Sequence, residues 1–219
     1  ELNSKLIPKL EEYETAAKNL PTGSNETKEL KSTYLDSVKK KKSAINELKT
    51  FVDLCNQSIK ANEDILEYTK LFEKNRSQVE DNIQKASTVG NSTDVTNFKN
   101  KLEQNNKDLK NTAEEEADST DSNEIKKSIK EQIMPLITKQ IRDLNKAEIT
   151  DAYVNDARKN AIEMYYSLQN YYETREETIE ISEQLAKIDY NKLPQKGEEL
   201  EQYETTFNKK YQQANDNYN

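Results

Sequence analysis

The chain has 219 residues, with 41 acidic and 33 basic side chains, three glycines, four prolines and neither histidine nor tryptophan. So few turn-forming residues exclude β-sandwiches, β-barrels and the glycine-rich loops of nucleotide-binding folds, because those folds need many tight turns. Without histidine the common nucleophile–histidine pairs and zinc ligand sets are missing, and a net charge of −8 disfavours nucleic-acid binding. The composition therefore predicts an all-α protein that is not an enzyme and binds no cofactor or metal.

The first helix is predicted over residues 2–20, where apolar side chains recur at steps of three and four. Pro8 lies inside this pattern. Because proline is tolerated in the first turn of a helix, either the helix begins near Ile7 or residues 1–6 form an extended tether.

The second helix is predicted to be long. A turn over residues 21–24 ends the first helix, and Ser24 or Asn25 is available to cap the next one. From there to residue 89 the chain contains neither glycine nor proline, and its apolar positions recur at the steps of a helix that packs along its length. The basic run Lys39–Lys42 within it is interpreted as a solvated helix face, with binding of a phosphate or an anionic membrane surface as the alternative.

A third helix follows a turn cluster centred on Gly90 and extends to residue 113. The next ten residues, 114–123, are acidic and poor in apolar side chains, and they are predicted to form the main linker. The linker separates an N-terminal helical unit, residues 1–113, from a C-terminal helical unit, residues 124–219.

The second half repeats this organisation. A helix interrupted by Pro135 comes first, Thr150 or Asp151 begins a long helix, and residues 193–197, with Pro194 and Gly197, end it before a last helix. The resulting fold prediction is an elongated antiparallel bundle of about six helices, formed either as two tandem three-helix units or as one bundle.

Tyrosine is the over-used large side chain, with twelve residues against four phenylalanines. Tyr165, Tyr166, Tyr171 and Tyr172 lie close together in one predicted helix. Tyr165 and Tyr172, seven residues apart, are predicted to share the core stripe, and the other two to flank it. Exposed tyrosines suit recognition of a protein or a sugar, so the group is the candidate contact site; the alternative is that these rings only fill the edge of a thin core.

Two stretches resemble a known class of proteins. They are Glu29-Leu30-Lys31-Ser32-Thr33-Tyr34-Leu35-Asp36-Ser37-Val38, with the Lys-rich helix after it, and Tyr203-Glu204-Thr205-Thr206-Phe207-Asn208-Lys209-Lys210-Tyr211. In style the chain resembles helical ectodomains of lipoproteins from low-GC Gram-positive bacteria, including those described as cell-wall-binding. The resemblance implies an extracellular, non-catalytic protein, with the lipid on a cysteine upstream of Glu1. It assigns no functional residues.

The function expected from these observations is a surface-displayed helical binding or spacer module whose partner is a protein or a cell-wall component. Contact with a membrane is expected only through the upstream tether. The single Cys55 lies in an apolar helical setting and is predicted to be a small buried residue. Two alternatives remain: an intracellular coiled-coil scaffold, and a small-molecule carrier or enzyme with a cavity between helices.

Overall fold

A computed structural model describes residues 2–89, 91–117 and 119–216. Two π-helical turns, Leu2–Leu6 and Ile129–Ile133, accompany the α-helices. The α-helices are α1 (Ile7–Asn19), α2 (Asn25–Val89), α3 (Ser92–Ala117), α4 (Ser122–Ser128), α5 (Met134–Asn145), α6 (Ala152–Ala186) and α7 (Lys192–Asp216). No strand occurs in these ranges, and the prediction of an all-α helical bundle is confirmed.

The helix starts follow the capping chemistry that the sequence offers. Ser24 and Thr27 exchange hydrogen bonds at the start of α2, with each side-chain oxygen accepting from the backbone N–H of the other residue. Asn91 caps α3 in a similar way, and Asp121 caps α4. Side chains of this kind satisfy backbone donors that the first helical turn leaves without partners.

Both prolines predicted to interrupt a helix lie just after a π-helical turn. Pro8 and Pro135 each occupy the first turn of an α-helix, α1 and α5. In the second case the backbone N–H of Met134 donates to the carbonyl of Ile129, five residues earlier. Proline cannot donate a backbone hydrogen bond and its ring collides with the preceding turn, and a wider π turn is one known way to accommodate such a disturbance. Residues 2–6 are therefore helical rather than extended.

The chain forms two compact units, Glu1–Asn56 with Gln184–Asn219, and Gln57–Glu183. The sequence divides differently in the prediction of two helical units, 1–113 and 124–219, with a linker at 114–123, and that division stays a prediction. Within the predicted linker, residues 114–117 continue α3, and Ser122 begins α4.

The unit Gln57–Glu183 contains the larger core. Its buried apolar residues come from the C-terminal part of α2, from α3, from the interrupted helix α4–α5 and from α6. The fully buried members include Ile129, Ile133, Ile137, Leu144 and Val154. Spacings of four, four and seven residues place the three isoleucines and the leucine on one side of the interrupted helix, as the sequence pattern predicts.

The other unit is held together by α1, the N-terminal part of α2 and α7. Ion pairs join Glu29 to Lys210, Lys41 to Glu204 and Glu47 to Lys196. Because the partners run in opposite chain directions, α7 lies antiparallel to this part of α2.

The basic run Lys39–Lys42 contributes to these contacts. Lys41 pairs with Glu204, the Nζ of Lys42 lies 2.8 Å from a carboxylate oxygen of Glu14, and the Nζ of Lys40 lies 5.5 Å from the ring centroid of Tyr203. Three of the four lysines thus contact α1 or α7, so the interpretation of the run as only a solvated face was wrong.

One predicted turn was also wrong. Residues 193–197 belong to α7, which begins at Lys192, and the break after α6 falls at residues 187–191. Pro194 is compatible with the new helix because it stands in its first turn, where its missing N–H leaves no intrahelical bond broken. The single-residue signals of proline and glycine placed the turn several residues too late.

The long apolar stripe of α2 is only partly covered. Of its predicted positions, Val38 and Val79 are buried, whereas several others are exposed. The exposed ones are Leu48, Val52, Ile59 and Leu66. Leu54 and Ala61, which the predicted stripe did not include, are buried, and a step of two residues from Val52 or Ile59 leads to nearly the opposite side of a helix. The periodicity therefore identified the helix, but in this part of α2 it placed the covered side wrongly.

Glu14 is expected to make the unit Glu1–Asn56 with Gln184–Asn219 sensitive to acid. Hydrogen bonds from Lys18 and Lys42, with Nζ to oxygen distances of 2.5 and 2.8 Å, lower the pKa of this carboxyl to about 2. A folded-state pKa below the unfolded value means that the stabilisation is present above the unfolded pKa and is lost as the pH falls through the folded one. Acidification from pH 6 to pH 2 is therefore expected to weaken the attachment of α1.

The measurement is a series of thermal melts at stepwise lower pH for the unchanged chain, Glu14→Gln and Glu12→Gln. Glu14→Gln is expected to melt lower at pH 6 and to lose less stability on acidification. Glu12 pairs only within α1, with Lys9, and its substitution is expected to leave the pH profile unchanged. Identical profiles for all three proteins would contradict the prediction.

Candidate functional site

Two aspartates set the start of α6, the helix that carries the predicted tyrosine site. Oδ1 of Asp151 accepts from the backbone N–H of Val154 at 2.9 Å and caps α6, while its Oδ2 accepts from the backbone N–H of Asn91 at 2.9 Å. Asp94, in the first turn of α3, accepts from the backbone N–H groups of Thr150 and Asp151 at 2.8 and 2.9 Å. These backbone hydrogen bonds lower the pKa of both carboxyls. The starts of α3 and α6 are thus fixed to each other.

The stretch Glu163-Met164-Tyr165-Tyr166 divides between the inside and the outside of its unit. Met164 and Tyr165 are buried, and Glu163 and Tyr166 are exposed. Neighbours three apart on a helix share a face, so Glu163 and Tyr166 form one outer patch. Packing in the core explains why an apolar residue and a large ring stand at the two buried positions, but it does not explain the residues at the two exposed positions.

Tyr165 is the largest fully buried side chain described in the molecule, with an exposed fraction of 0%. Burial raises the pKa of its hydroxyl to about 12, because removal from water disfavours the phenolate. The hydroxyl donates to Oδ1 of Asn106 on α3 across 3.4 Å, a long hydrogen bond. Tyr165 therefore acts as a core residue with a polar tip that reaches α3.

A second polar contact lies in the same core. Gln140 on α5 is 1% exposed, and its Nε2 donates to the backbone carbonyl of Asn105 at 3.0 Å. Oε1 of Gln140 and Nδ2 of Asn105 are buried and make no hydrogen bond. Unpaired polar atoms in a core cost stability, so these two atoms offset part of what the hydrogen bond between α5 and α3 contributes.

The other tyrosines of the group occupy graded positions. Tyr172 is buried, and Tyr171 is half-buried, with its ring edge-on to that of Tyr172 at a centroid distance of 5.2 Å. Tyr166 has an exposed fraction of 45%. The predicted arrangement, with Tyr165 and Tyr172 in the core stripe and the other two flanking it, agrees with these positions.

The geometry narrows the predicted contact site. Tyr165 and Tyr172 are inside the core and have little surface to offer a partner, so a contact through this group would fall mainly on Tyr166, with Tyr171 at its edge. That the group contacts a partner stays a prediction. Further along α6, Glu173 and Glu177 are exposed as well, which gives the outer side of the helix an acidic character.

A second aromatic group was not identified from the sequence. Tyr34 of α2 and Phe207 of α7 lie with ring centroids 5.3 Å apart, and Phe207 stacks with Tyr211 at 6.3 Å. The four-residue step between Phe207 and Tyr211 predicted that these two rings share a face. The contact with Tyr34 joins residues that are far apart in the chain, and no local signal indicated it.

Within the described ranges, no group of three or more cysteine and acidic side chains is arranged to hold a metal ion. In the same ranges no helix is both long and apolar enough to cross a membrane. Cys55 is half-buried inside α2.

The chain was compared with known protein families, curated proteins and solved structures. A family model described as EMYY-motif containing lipoprotein matches residues 1–215. In one-letter code, Glu163-Met164-Tyr165-Tyr166 is the sequence EMYY. No curated protein and no solved structure matches the chain.

Proposed function

The chain belongs to the family of EMYY-motif containing lipoproteins, and from this premise we propose that it is a non-enzymatic binding or spacer module displayed on the cell surface. A lipid on a cysteine upstream of Glu1 would anchor it. Cys55 is a poor candidate for that role, because it is half-buried in the middle of α2. Membership of a lipoprotein family favours this function over an intracellular scaffold.

The observation that carries the binding part of the proposal is the exposure of Tyr166. Its two preceding neighbours, Met164 and Tyr165, are buried, yet this ring, which is large and mostly apolar, faces water. A tyrosine provides rigid contact area with few rotatable bonds and a hydroxyl that can hydrogen-bond, which suits recognition of another molecule. Glu163 beside it would add a carboxylate to the same contact.

The proposed partner is a protein or a cell-wall component that contacts this patch. Because Glu163, Glu173 and Glu177 make the outer side of α6 acidic, positive charge on the partner would strengthen the contact at low salt. Binding is therefore expected to weaken as the ionic strength rises.

Tyr166→Ala is expected to reduce capture of the partner from native surface extract or cell-wall material, while helicity and melting temperature stay nearly unchanged. Tyr153→Ala is the matched control, because Tyr153 lies on the same helix and has a similar exposed fraction of 41%. Capture is compared by quantitative pull-down with the three purified proteins. Equal capture by Tyr166→Ala and Tyr153→Ala would refute a contact at Tyr166.

A further inference from the structure

A cavity of about 360 Å³ lies within the unit Glu1–Asn56 with Gln184–Asn219, at the end where α1 turns into α2. Its walls come from α1, the first turns of α2 and the C-terminal part of α7. One wall is formed by Ala16 and Ala17 of α1 and by Leu20, the residue that follows this helix. The volume falls in the range of sites for small organic molecules.

Aromatic rings form much of the remaining wall. Tyr34, Phe207 and Tyr211 make the aromatic group described above, and Tyr13 lines the cavity from α1. Tyr13 and Tyr211 are about half exposed, so the cavity is open to solvent. An apolar molecule that enters it would remove both its own surface and these rings from water, which is the main source of binding free energy for such a site.

Among the described residues that line the cavity, Lys31 is the one charged side chain. Its Nζ donates to the backbone carbonyls of Lys18 and Leu20, at 2.6 and 3.0 Å, near the C-terminal end of α1. These carbonyls engage two of the three donors of the ammonium, and the negative end of the helix dipole offsets part of its charge. A carboxylate that pairs with Lys31 would use the third donor or replace one of these two bonds.

We propose that this cavity binds a monoanionic amphiphile, a fatty-acid-like molecule whose hydrocarbon chain lies against the aromatic rings and whose carboxylate pairs with Lys31. An apolar wall with a single cation selects a ligand with one apolar body and one anionic head. A polyanion would leave further charges desolvated against apolar walls, which is unfavourable. This site is separate from the Tyr166 patch, and its test does not depend on the function proposed above.

The first experiment titrates the purified chain with laurate by isothermal calorimetry, below the concentration at which laurate forms micelles. Saturable binding at one site per chain is expected. Dodecyl maltoside, with the same hydrocarbon chain and an uncharged head, is expected to bind at least about tenfold more weakly, because it makes no charged hydrogen bond to Lys31.

Two substitutions on α1 test the position of the hydrocarbon chain. Ala16→Phe places a ring in the cavity and is expected to abolish laurate binding. Thr15→Phe adds the same ring at an exposed neighbouring position that does not line the cavity, and binding is expected to be retained. Ala16 is itself exposed, so neither substitution disturbs a buried contact and both proteins should fold.

Two substitutions on α2 test the position of the head group. Lys31→Met is expected to weaken laurate binding roughly 10- to 100-fold, the effect of losing a hydrogen bond between charged groups, without changing the affinity for dodecyl maltoside. Lys28→Met, at an exposed position outside the cavity, is expected to leave both affinities unchanged.

Three results would overturn the proposal: no saturable laurate binding, equal binding by Ala16→Phe and Thr15→Phe, or equal affinities of Lys31→Met and Lys28→Met for laurate. Sedimentation equilibrium tests whether a second copy of the chain occupies the cavity instead of a ligand. A dimer of the unchanged chain that dissociates in Ala16→Phe would show that a second copy fills the groove, and would also overturn the proposal.

Discussion

Tyr165→Ala is expected to lower the free energy of unfolding of the unit Gln57–Glu183 by about 3–5 kcal/mol, the cost of truncating a large buried aromatic residue. Tyr165 has no exposed surface and lies among apolar residues of the core cluster. Its removal would leave a cavity beside Met164 and free Oδ1 of Asn106 from its hydrogen bond. Urea unfolding followed by circular dichroism at 222 nm gives the value, from the shift of the midpoint at constant slope.

Two further substitutions separate the contributions of the Tyr165 ring and of its hydroxyl to the free energy of unfolding. Tyr165→Phe removes only the hydroxyl and its long hydrogen bond, and about 1 kcal/mol or less should be lost. Tyr166→Ala truncates an exposed ring, and a change within about 0.5 kcal/mol is expected. A loss for Tyr166→Ala as large as that for Tyr165→Ala would mean that the ring of Tyr166 is buried, and would contradict the structure.

The second large effect is expected for Ile137→Ala, which should cost about 2–5 kcal/mol. Ile137 has an exposed fraction of 0% and lies in the middle of the buried stripe of the interrupted helix. Truncation removes three carbon atoms from a site that is surrounded by apolar side chains, and packed cores collapse only partly into such a space. The same urea titration measures this loss in the free energy of unfolding.

Ile59→Ala is the matched control, with the same atoms removed from a position of α2 that is 60% exposed. A change of less than about 0.5 kcal/mol is expected there. If Ile59→Ala were as costly as Ile137→Ala, the apolar side of α2 at this position would be covered in solution, by a second copy of the chain or by another segment. Repeating the titration at several protein concentrations distinguishes these two cases.

The helices could be predicted from the sequence because capping residues and apolar spacing are local features. Ser24 and Asp151 act as caps where they were predicted, and Tyr165 and Tyr172 are buried as their spacing of seven residues indicated. Each of these features depends on contacts within one or two helical turns, or on the side of a helix that carries the apolar residues. For the same reason an all-α fold could be predicted from composition and periodicity alone.

What the sequence left open depends on contacts between distant residues. Lys41 pairs with Glu204, and Tyr34 packs on Phe207, but a basic run or a tyrosine on a helix does not show which segment will face it. The same limit applies to α2, where Leu54 and Ala61 are buried but Ile59 is exposed, because the side of a helix that becomes covered depends on the segments that pack on it. The position of Pro194 did not distinguish the end of one helix from the start of the next, because proline is found at both.

The sequence predicted the position of the candidate site on α6 but not which of its tyrosines is exposed. Four clustered tyrosines drew attention to α6, and helical spacing separated the inner rings from the outer ones. Only the structure shows which ring keeps enough surface to contact a partner. Tyr171 is half-buried against Tyr172, whereas Tyr166 is exposed. The cavity beside Lys31 was not identified at all, because its walls come from three helices that are far apart in the chain.

Whether the protein is the proposed lipid-anchored module on the outside of the cell can be tested by labelling its native cells with an alkyne-bearing fatty acid and then treating the intact cells with protease. We expect that the protein carries the label and that the protease releases its helical part, including the peptide with Tyr166. An unlabelled protein that stays intact until the cells are lysed would contradict the account and would support an intracellular scaffold.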